Sequence, residues 1–237
     1  MSDRTLIVIP ARNEAHNLKS VIGELRSVRS DDEYVLVDDD SSDGTARVAR
    51  ELGCRVLRLP IHLGYGGAVQ AGMKFSIKHG FPVAVTFDAD GQHDPADVES
   101  LVEAVEGGAD LVIGSRLLPE ASYRGGPLRR TGRRVFSLLA RGLTGLPLTD
   151  PTSGLKAAGP RGQWLFALPR FPDRFPDADA LVLARRAKLV IRECPAHMRP
   201  SRNRHSMHDG YRAVAYTANM ILSLFVAAFG RDGDLRG

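Results

Sequence analysis

The feature that most constrains the fold is a regular alternation across the first half of the chain, where short apolar runs are followed by stretches of helical period. Thr5–Ile9 reads as a strand, and Asn17–Arg26 follows as a helix with Leu18, Val21, Ile22 and Leu25 on one face. Tyr34–Val37, Arg55–Leu59, Val83–Phe87 and Leu111–Ile113 read as further strands, with helices over Gly44–Leu52, Ala68–His79 and Asp97–Val105 between them. Strands alternating with helices of about ten residues imply βαβ units, hence an α/β fold with a mainly parallel, Rossmann-like sheet flanked by helices. In such sheets ligands bind beyond the carboxyl ends of the strands, so the loops after Ile9, Val37 and Phe87 become the candidate functional loops.

The second half is less regular. Residues 116–134 are rich in Gly, Pro and Arg and read as a loop; Val135–Leu143 and Asp177–Ala187 read as helices and Leu189–Cys194 as a strand. Ala213–Phe229 is a run of 17 residues without a charge. At about 1.5 Å per residue it falls short of a hydrocarbon core of roughly 30 Å, so it is expected either to pack on the domain or to lie against a membrane or a membrane partner. The expected organisation is one domain over residues 1–210, followed by this apolar helix and a short tail over 211–237.

Charge is divided unevenly. Residues 1–113 carry 11 Lys and Arg against 19 Asp and Glu, whereas residues 114–237 carry 21 against 9, giving nets of −8 and +12. A basic half beside an acidic one points to a polyanionic partner such as a phosphate or an anionic lipid. With one Trp and no interleaving of aromatic and basic residues, nucleic acid is not expected. The two cysteines, Cys54 and Cys194, are far apart and form no CxxC, which fits a reducing compartment better than a disulfide framework. The apolar run Leu6–Ile9 is too short for a signal-peptide core, so a cytoplasmic protein is expected.

Four loops carry the chemistry. Asp88-Ala89-Asp90, at the end of the apolar strand VAVTF and opening into Gly91-Gln92-His93-Asp94, presents two carboxylates one residue apart, which can converge on Mg²⁺ or Mn²⁺ with diphosphate oxygens filling the shell. Asp38, Asp39 and Asp40 are three successive carboxylates that repel one another unless they are solvated or bind something. Asp38 and Asp39 are expected to meet the NH and OH groups of a base or ribose, and Asp43 to start a helix. Pro10 fixes the turn after the first strand, where Asn13 or Glu14 can cap the next helix. Gly64-Tyr65-Gly66-Gly67 opens a helix whose backbone NH groups can meet an anion; it is neither a Walker loop nor a GxGxxG fingerprint.

Taken in order, PARNEAHNL (10–18), VDDDSSDGT (37–45), GYGGAVQAG (64–72), DADGQHD (88–94), GSR (114–116) and DPTSGLKAAG (150–159) resemble the family 2 glycosyltransferases, in particular the dolichol-phosphate or polyprenol-phosphate mannosyltransferase branch. The resemblance spans about residues 5–210. It implies a GT-A fold, an inverting mechanism and a nucleotide-diphosphate sugar donor. Pro10, Asn13, Glu14, Asp38 and Asp39 would line the nucleoside pocket with Gly67, Asp88 and Ala89 nearby, and Asp88, Asp90 and Gln92 would hold metal and diphosphate. Arg116 and an arginine among Arg129 and Arg130 would meet phosphates, while Ser153 and Gly154 would shape the acceptor side. The stretch Ser201–Ser206 carries Arg204 where the family has glycine, which leaves Arg199, Arg202 and Arg204 open for the last phosphate contact.

In this reading the activity is transfer of a sugar, mannose by resemblance, to a polyprenyl phosphate at the inner face of a membrane. A phosphate monoester, with a second pKa near about 6, needs no general base, whereas a hydroxyl acceptor does. Asp177 and Asp179 are the candidates for that base, or for orienting a phosphate, and Asp177 can equally cap a helix. The alternatives are a transferase acting from a UDP-sugar on a hydroxyl, and a non-catalytic subunit that binds a nucleotide sugar.

Overall fold

The computed structural model describes residues 4–121, 148–169, 171 and 176–199, with five further positions between 138 and 146. In chain order its elements are β1 (Leu6–Ala11), α1 (Ala15–Val28), β2 (Glu33–Asp38), α2 (Thr45–Glu51), β3 (Arg55–Arg58), α3 (Gly64–His79), β4 (Ala84–Thr86), α4 (Asp97–Glu106), β5 (Leu111–Ser115), β6 (Lys156–Ala158), α5 (Pro160–Ala167), α6 (Pro176–Arg186) and β7 (Ile191–Pro195). The strands form one seven-stranded sheet in the order β3-β2-β1-β4-β6-β5-β7. β1 pairs in parallel with β2 on one side and β4 on the other, β2 with β3, and β5 with β7. β6 runs antiparallel to both its neighbours, β4 and β5.

The chain therefore winds outward from β1 to β3 and then restarts on the far side of β1. The loops that leave β1, β2 and β4 open around one crevice, the place where doubly wound sheets bind ligands. The alternating residues of β1 explain why both faces are covered. Ile7 and Ile9 join Leu18, Val21, Ile22 and Leu25 of α1 and Val98, Leu101 and Val102 of α4. Leu6 and Val8 join Val69 and Met73 of α3, Phe166 of α5 and Ala180 of α6. Strands buried on both faces read as unbroken apolar runs, as these do.

The parallel framework matches the expectation from sequence; the main difference is in the interior of the sheet, where β6 enters between β4 and β5. β6 and α5 were not anticipated. Strand β6 is three residues long and follows the turn SGL, and α5 carries Pro160 and Gly162, so neither shows a periodic signal. α3 begins at Gly64, not at Ala68, because its glycines form the first helical turn itself. Of the helix expected over Val135–Leu143, Leu138, Arg141 and Gly142 are described, and they are helical. The arginines 124, 129, 130, 133, 134, 202 and 204, the apolar run 213–229 and the 210/211 boundary lie outside the described residues.

Close approach of α3 to β1 depends on Gly72, where an added Cβ would stand 2.2 Å from Val8 Cγ1. Gly72→Ala is expected to lower the unfolding free energy by about 1–3 kcal/mol through overpacking, outweighing the gain in helix propensity. Urea denaturation of Gly72→Ala, Val8→Ala and the double variant checks this; the double variant should lose less than the sum of the two single changes.

Candidate active site

The first two loops are stitched together. Asn13 adopts a left-handed φ of 58°, a conformation its short polar side chain tolerates. Its amide donates to Ser41 Oγ at 3.0 Å, and its Oδ1 accepts from the Ser42 amide at 2.9 Å. The Glu14 amide donates to Thr45 Oγ1 at 2.9 Å and the Ala15 amide to Asp43 Oδ2 at 3.2 Å. The start of α1 is thus capped from the loop after β2. Neither the Asn13 nor the Glu14 side chain caps it, as either had been expected to; Glu14 Oε2 instead accepts from Asn17 Nδ2 at 2.7 Å. Asp43 also takes the Thr45 amide at the head of α2, in its expected role. Burial alone would raise the Asp43 carboxyl, but the bonds from Thr45 and Ala15 hold it below its ordinary value.

Asp38 and Asp39 are both buried at the end of β2. Asp38 Oδ1 accepts from the Ser41 amide at 3.1 Å. Its Oδ2 accepts no hydrogen bond, although the exposed Arg58 Nε lies at ion-pair range, 3.5 Å. Asp39 is fully engaged: Oδ1 accepts from the Leu63 amide at 2.7 Å, while Oδ2 accepts from the Gly64 amide at 2.9 Å and lies 2.7 Å from His62 Nδ1. The amides heading the glycine-opened helix α3, which carries Gly67, therefore meet an anion of the same chain.

The third loop holds the paired carboxylates. Asp88 Oδ2 lies 3.1 Å from Nε2 of the buried His93, which also stands edge-on to Phe87. Asp88 Oδ1 is buried without a hydrogen-bond partner. Burial pushes the Asp88 carboxyl up, but His93, Lys156 and Tyr65 outweigh it and leave it below the ordinary range. Asp90 moves the other way: burial first, then the charge of Asp88, raises its carboxyl, with Glu14 adding to the push. The Gln92 amide donates to Asp90 Oδ1 at 2.9 Å and opposes that rise. Ala89, between the two, is buried.

The segment 148–155 closes the site from β6. Gly154 packs against the Asp88 carboxylate so tightly that a Cβ there would lie 2.3 Å from Asp88 Oδ2. Ser153 is fully buried and its Oγ has no partner. The segment is gripped from two sides. Glu193 of β7 accepts from the Thr149 and Asp150 amides at 2.8 Å each. Arg116 forms a two-pronged pair with Asp150, Nε to Oδ2 at 2.5 Å and a terminal nitrogen to Oδ1 at 2.7 Å, and also reaches Thr152 Oγ1. The guanidinium expected to meet a phosphate is thus engaged in shaping this loop.

A strap beyond β7 backs the loop of Asp88–Asp94. His93 and Met198 form an antiparallel bridge, and the Arg199 amide donates to the Gln92 carbonyl at 2.7 Å. Arg199 pairs with Glu24 of α1 and with Asp94, and His197 contacts Asp97 through its amide at 2.6 Å and its Nδ1 at 2.7 Å. The structure thus gathers Pro10, Asn13, Glu14, Asp38, Asp39, Asp88, Asp90 and Gln92 on the loops and strand ends of one edge of the sheet. Asp177 and Asp179 fall on α6, with only its backbone described there; Arg129, Arg130 and Arg202 lie outside the described residues. Sequence reasoning missed His93, Lys156, Glu193 and His197.

Residues 6–157 match the sequence profile described as glycosyl transferase family 2. A polyprenol monophosphomannose synthase of Mycolicibacterium smegmatis is 36% identical over 163 residues, 66% of this chain and 62% of that protein. A UDP-N-acetylglucosamine–dolichyl-phosphate N-acetylglucosaminyltransferase of Methanococcus voltae is 30% identical over 216 residues, 82% of this chain and 86% of that protein. The chain spans less than two thirds of the first relative and most of the second. Among solved structures, glucosyl-3-phosphoglycerate synthase from Mycobacterium tuberculosis, in complex with Mn²⁺, UDP-glucose and phosphoglyceric acid, superposes with a TM-score of 0.74 at 23% identity, covering 98% of this chain and 82% of that one. At that identity the likeness is one of fold.

The strap carries a pH dependence. The hydrogen bond to Asp97 lifts the His197 imidazole above its ordinary value of about 6.5, against burial and with the charges of Asp97 and Asp94 adding. A raised folded-state value means that the stabilisation is fully present below the unfolded value and is lost as pH rises through the higher folded one. Protection of the Asp94 and Arg199 amides from hydrogen exchange, corrected for the intrinsic rate, should therefore decline from about pH 6.5 upward, and His197→Ala should abolish that decline. The contribution is small, because the ring is 45% exposed.

Proposed function

The chain belongs to the glycosyl transferase family 2, and from that premise we propose that it transfers a sugar, mannose by preference, from a nucleotide-diphosphate donor to a polyprenyl phosphate. The observation that carries the reading is the Asp88–Asp90 pair at the end of β4, with the backbone of Gly154 pressed against Asp88. In the relatives, the names themselves join a sugar to a polyprenyl or dolichyl phosphate.

The donor set suits a divalent cation. Two neighbouring carboxylates raise each other's cost of ionisation, and Asp88 Oδ1 is a buried acceptor with nothing bonded to it. Among the described residues no group of three or more His, Cys, Asp or Glu converges, so the chain would offer Asp88 and Asp90, with Gln92 beside them, and leave the remaining positions to ligand oxygens. Bound there, Mg²⁺ or Mn²⁺ supplies Lewis-acid stabilisation of charge on a departing diphosphate.

The chain's own residues do the rest. Asp38 retains acceptor capacity at Oδ2 for a nucleobase or ribose donor, while Asp39 braces the head of α3 beside it. Pro10, Asn13 and Glu14, locked to the loop after β2, form the opposite wall of the nucleoside pocket, with Gly67 and Ala89 along its floor. Ser153 and Gly154, fixed by Arg116 and Asp150, form the acceptor side. The arginines 129, 130 and 202 supply the positive charge that a lipid phosphate requires. A phosphate dianion attacks without a general base; Asp177 and Asp179 then orient it. Among the described residues no helix is long and apolar enough to cross a membrane. The enzyme would meet its acceptor peripherally at the inner membrane face, through the lipid surface or a membrane partner.

Calorimetry with GDP-mannose, UDP-glucose and UDP-N-acetylglucosamine, each with Mn²⁺ and with chelator, tests the site. One donor should bind only with metal, and Asp90→Ala should weaken that binding by at least about 10–100-fold, more than the loss of an outer-sphere partner. Absence of binding to every donor by folded protein overturns the reading.

A further inference from the structure

Lys156 is the one lysine among the buried polar residues described, at 5% exposure, and the proposed transfer gives it no contact of its own. Lysine is rarely buried unless it has a partner, because its charge is costly to desolvate. Its place follows from the topology. β6 runs antiparallel to β4 with Lys156 opposite Thr86, two residues before Asp88. The Lys156 amide donates to Thr86 Oγ1 at 3.2 Å, and its Nζ bonds to the Ser153 carbonyl.

The next carbonyl is held as well. Gly154 O accepts from Thr86 Oγ1 at 2.7 Å and from the Tyr65 hydroxyl at 3.2 Å. Donors from α3, β4 and β6 therefore pin two successive carbonyls of one turn. The result is the approach described above, in which the bare Cα of Gly154 faces Asp88 where a methyl group would not fit. Ser153 has no side-chain hydrogen bond of its own, and its amide reaches the Asp150 carbonyl only at 3.4 Å. The bond from Nζ is thus the main local anchor of that residue.

We propose that Lys156 is a positioning residue of the transfer site: from beneath, it seats the 153–154 turn against Asp88 and so fixes the distance between the acceptor side and the donor side. The proposal rests on the glycosyl-transfer reading for what is positioned, but not for the holding of the turn itself.

The test compares wild type, Lys156→Met and Lys156→Arg. Methionine is similar in volume but leaves the buried Ser153 carbonyl without its donor, so Lys156→Met should fold with a urea midpoint only modestly below that of wild type. Hydrogen exchange of the Ser153 and Lys156 amides should nevertheless quicken. With donor and polyprenyl phosphate, kcat/KM for the acceptor should fall by up to about 10²-fold, as for a reacting group displaced by about 1 Å. The KM for the donor should stay within about threefold, and Lys156→Arg should recover part of both the protection and the acceptor term. Unchanged exchange and acceptor kinetics in Lys156→Met overturn the proposal. So does an equal loss in the donor and acceptor terms of kcat/KM, which would make the residue a fold support alone. If wild type transfers no sugar to the lipid, the function reading fails by itself, and the exchange data with their arginine rescue still decide whether Lys156 seats the turn.

Discussion

Two carboxylates one residue apart, leaving a strand buried on both faces, repel each other, and much of the surrounding chain is arranged to hold them in spite of that. Asp88 and Asp90 are not equivalent partners. His93, Lys156 and Tyr65 draw the first toward the ionised form, while burial and the first carboxylate push the second away from it. A pair displaced in opposite directions by its neighbours is the arrangement that a small, hard cation relieves. The elements that supply those neighbours are α3, β6 and the turn that follows the pair itself. The site is therefore tied to the sheet order and is more than a loop decoration.

The supporting shell is mostly backbone held by side chains. Asn13, Ser41, Asp43 and Thr45 fasten the first two loops to each other, and Glu193 with Arg116 and Asp150 fastens the acceptor-side loop to β5 and β7. Such crosslinks fix positions before any ligand arrives, which is how a site lowers the reorganisation that transfer would otherwise require. They also explain why several polar residues of familiar type prove to be structural. Asp39 and Arg116, each a natural choice for ligand contact by sequence, direct their polar atoms at the chain.

Much of this was legible in the sequence, and the division has a physical basis. Strands β1, β2, β4 and β5 announce themselves as unbroken apolar runs and helices α1 and α4 by apolar residues at helical spacing, and the DAD turn stands out because two carboxylates end an apolar run. β6 gives no such signal: Lys-Ala-Ala is a strand only because β4 and β5 leave a slot for it. The partners of the site residues were illegible for a related reason. Thr86 and Gly154 are 68 positions apart, and Tyr65 and Gly154 are 89 apart, so local pattern says nothing of their meeting. The capping of α1 by Asp43 and Thr45, and not by Asn13 or Glu14, likewise depends on two loops being brought side by side by the parallel pairing of β1 and β2.

The antiparallel strand between β4 and β5 has a consequence for how the molecule comes into being. Synthesis delivers β1 through β5 first, yet β4 and β5 are not neighbours in the sheet, and the strand that joins them emerges some forty residues after β5. Until then the nascent sheet has a gap at its centre, with the edges of β4 and β5 unpaired. β7 and the strap against Gln92 and His93 arrive later still. A ribosome-bound chain that has made every acidic residue of the crevice has therefore not yet made the segment that closes it from β6. Closing a gap with partners so distant along the chain is slow and leaves strand edges open meanwhile. The complete site therefore waits on the docking of the last strands.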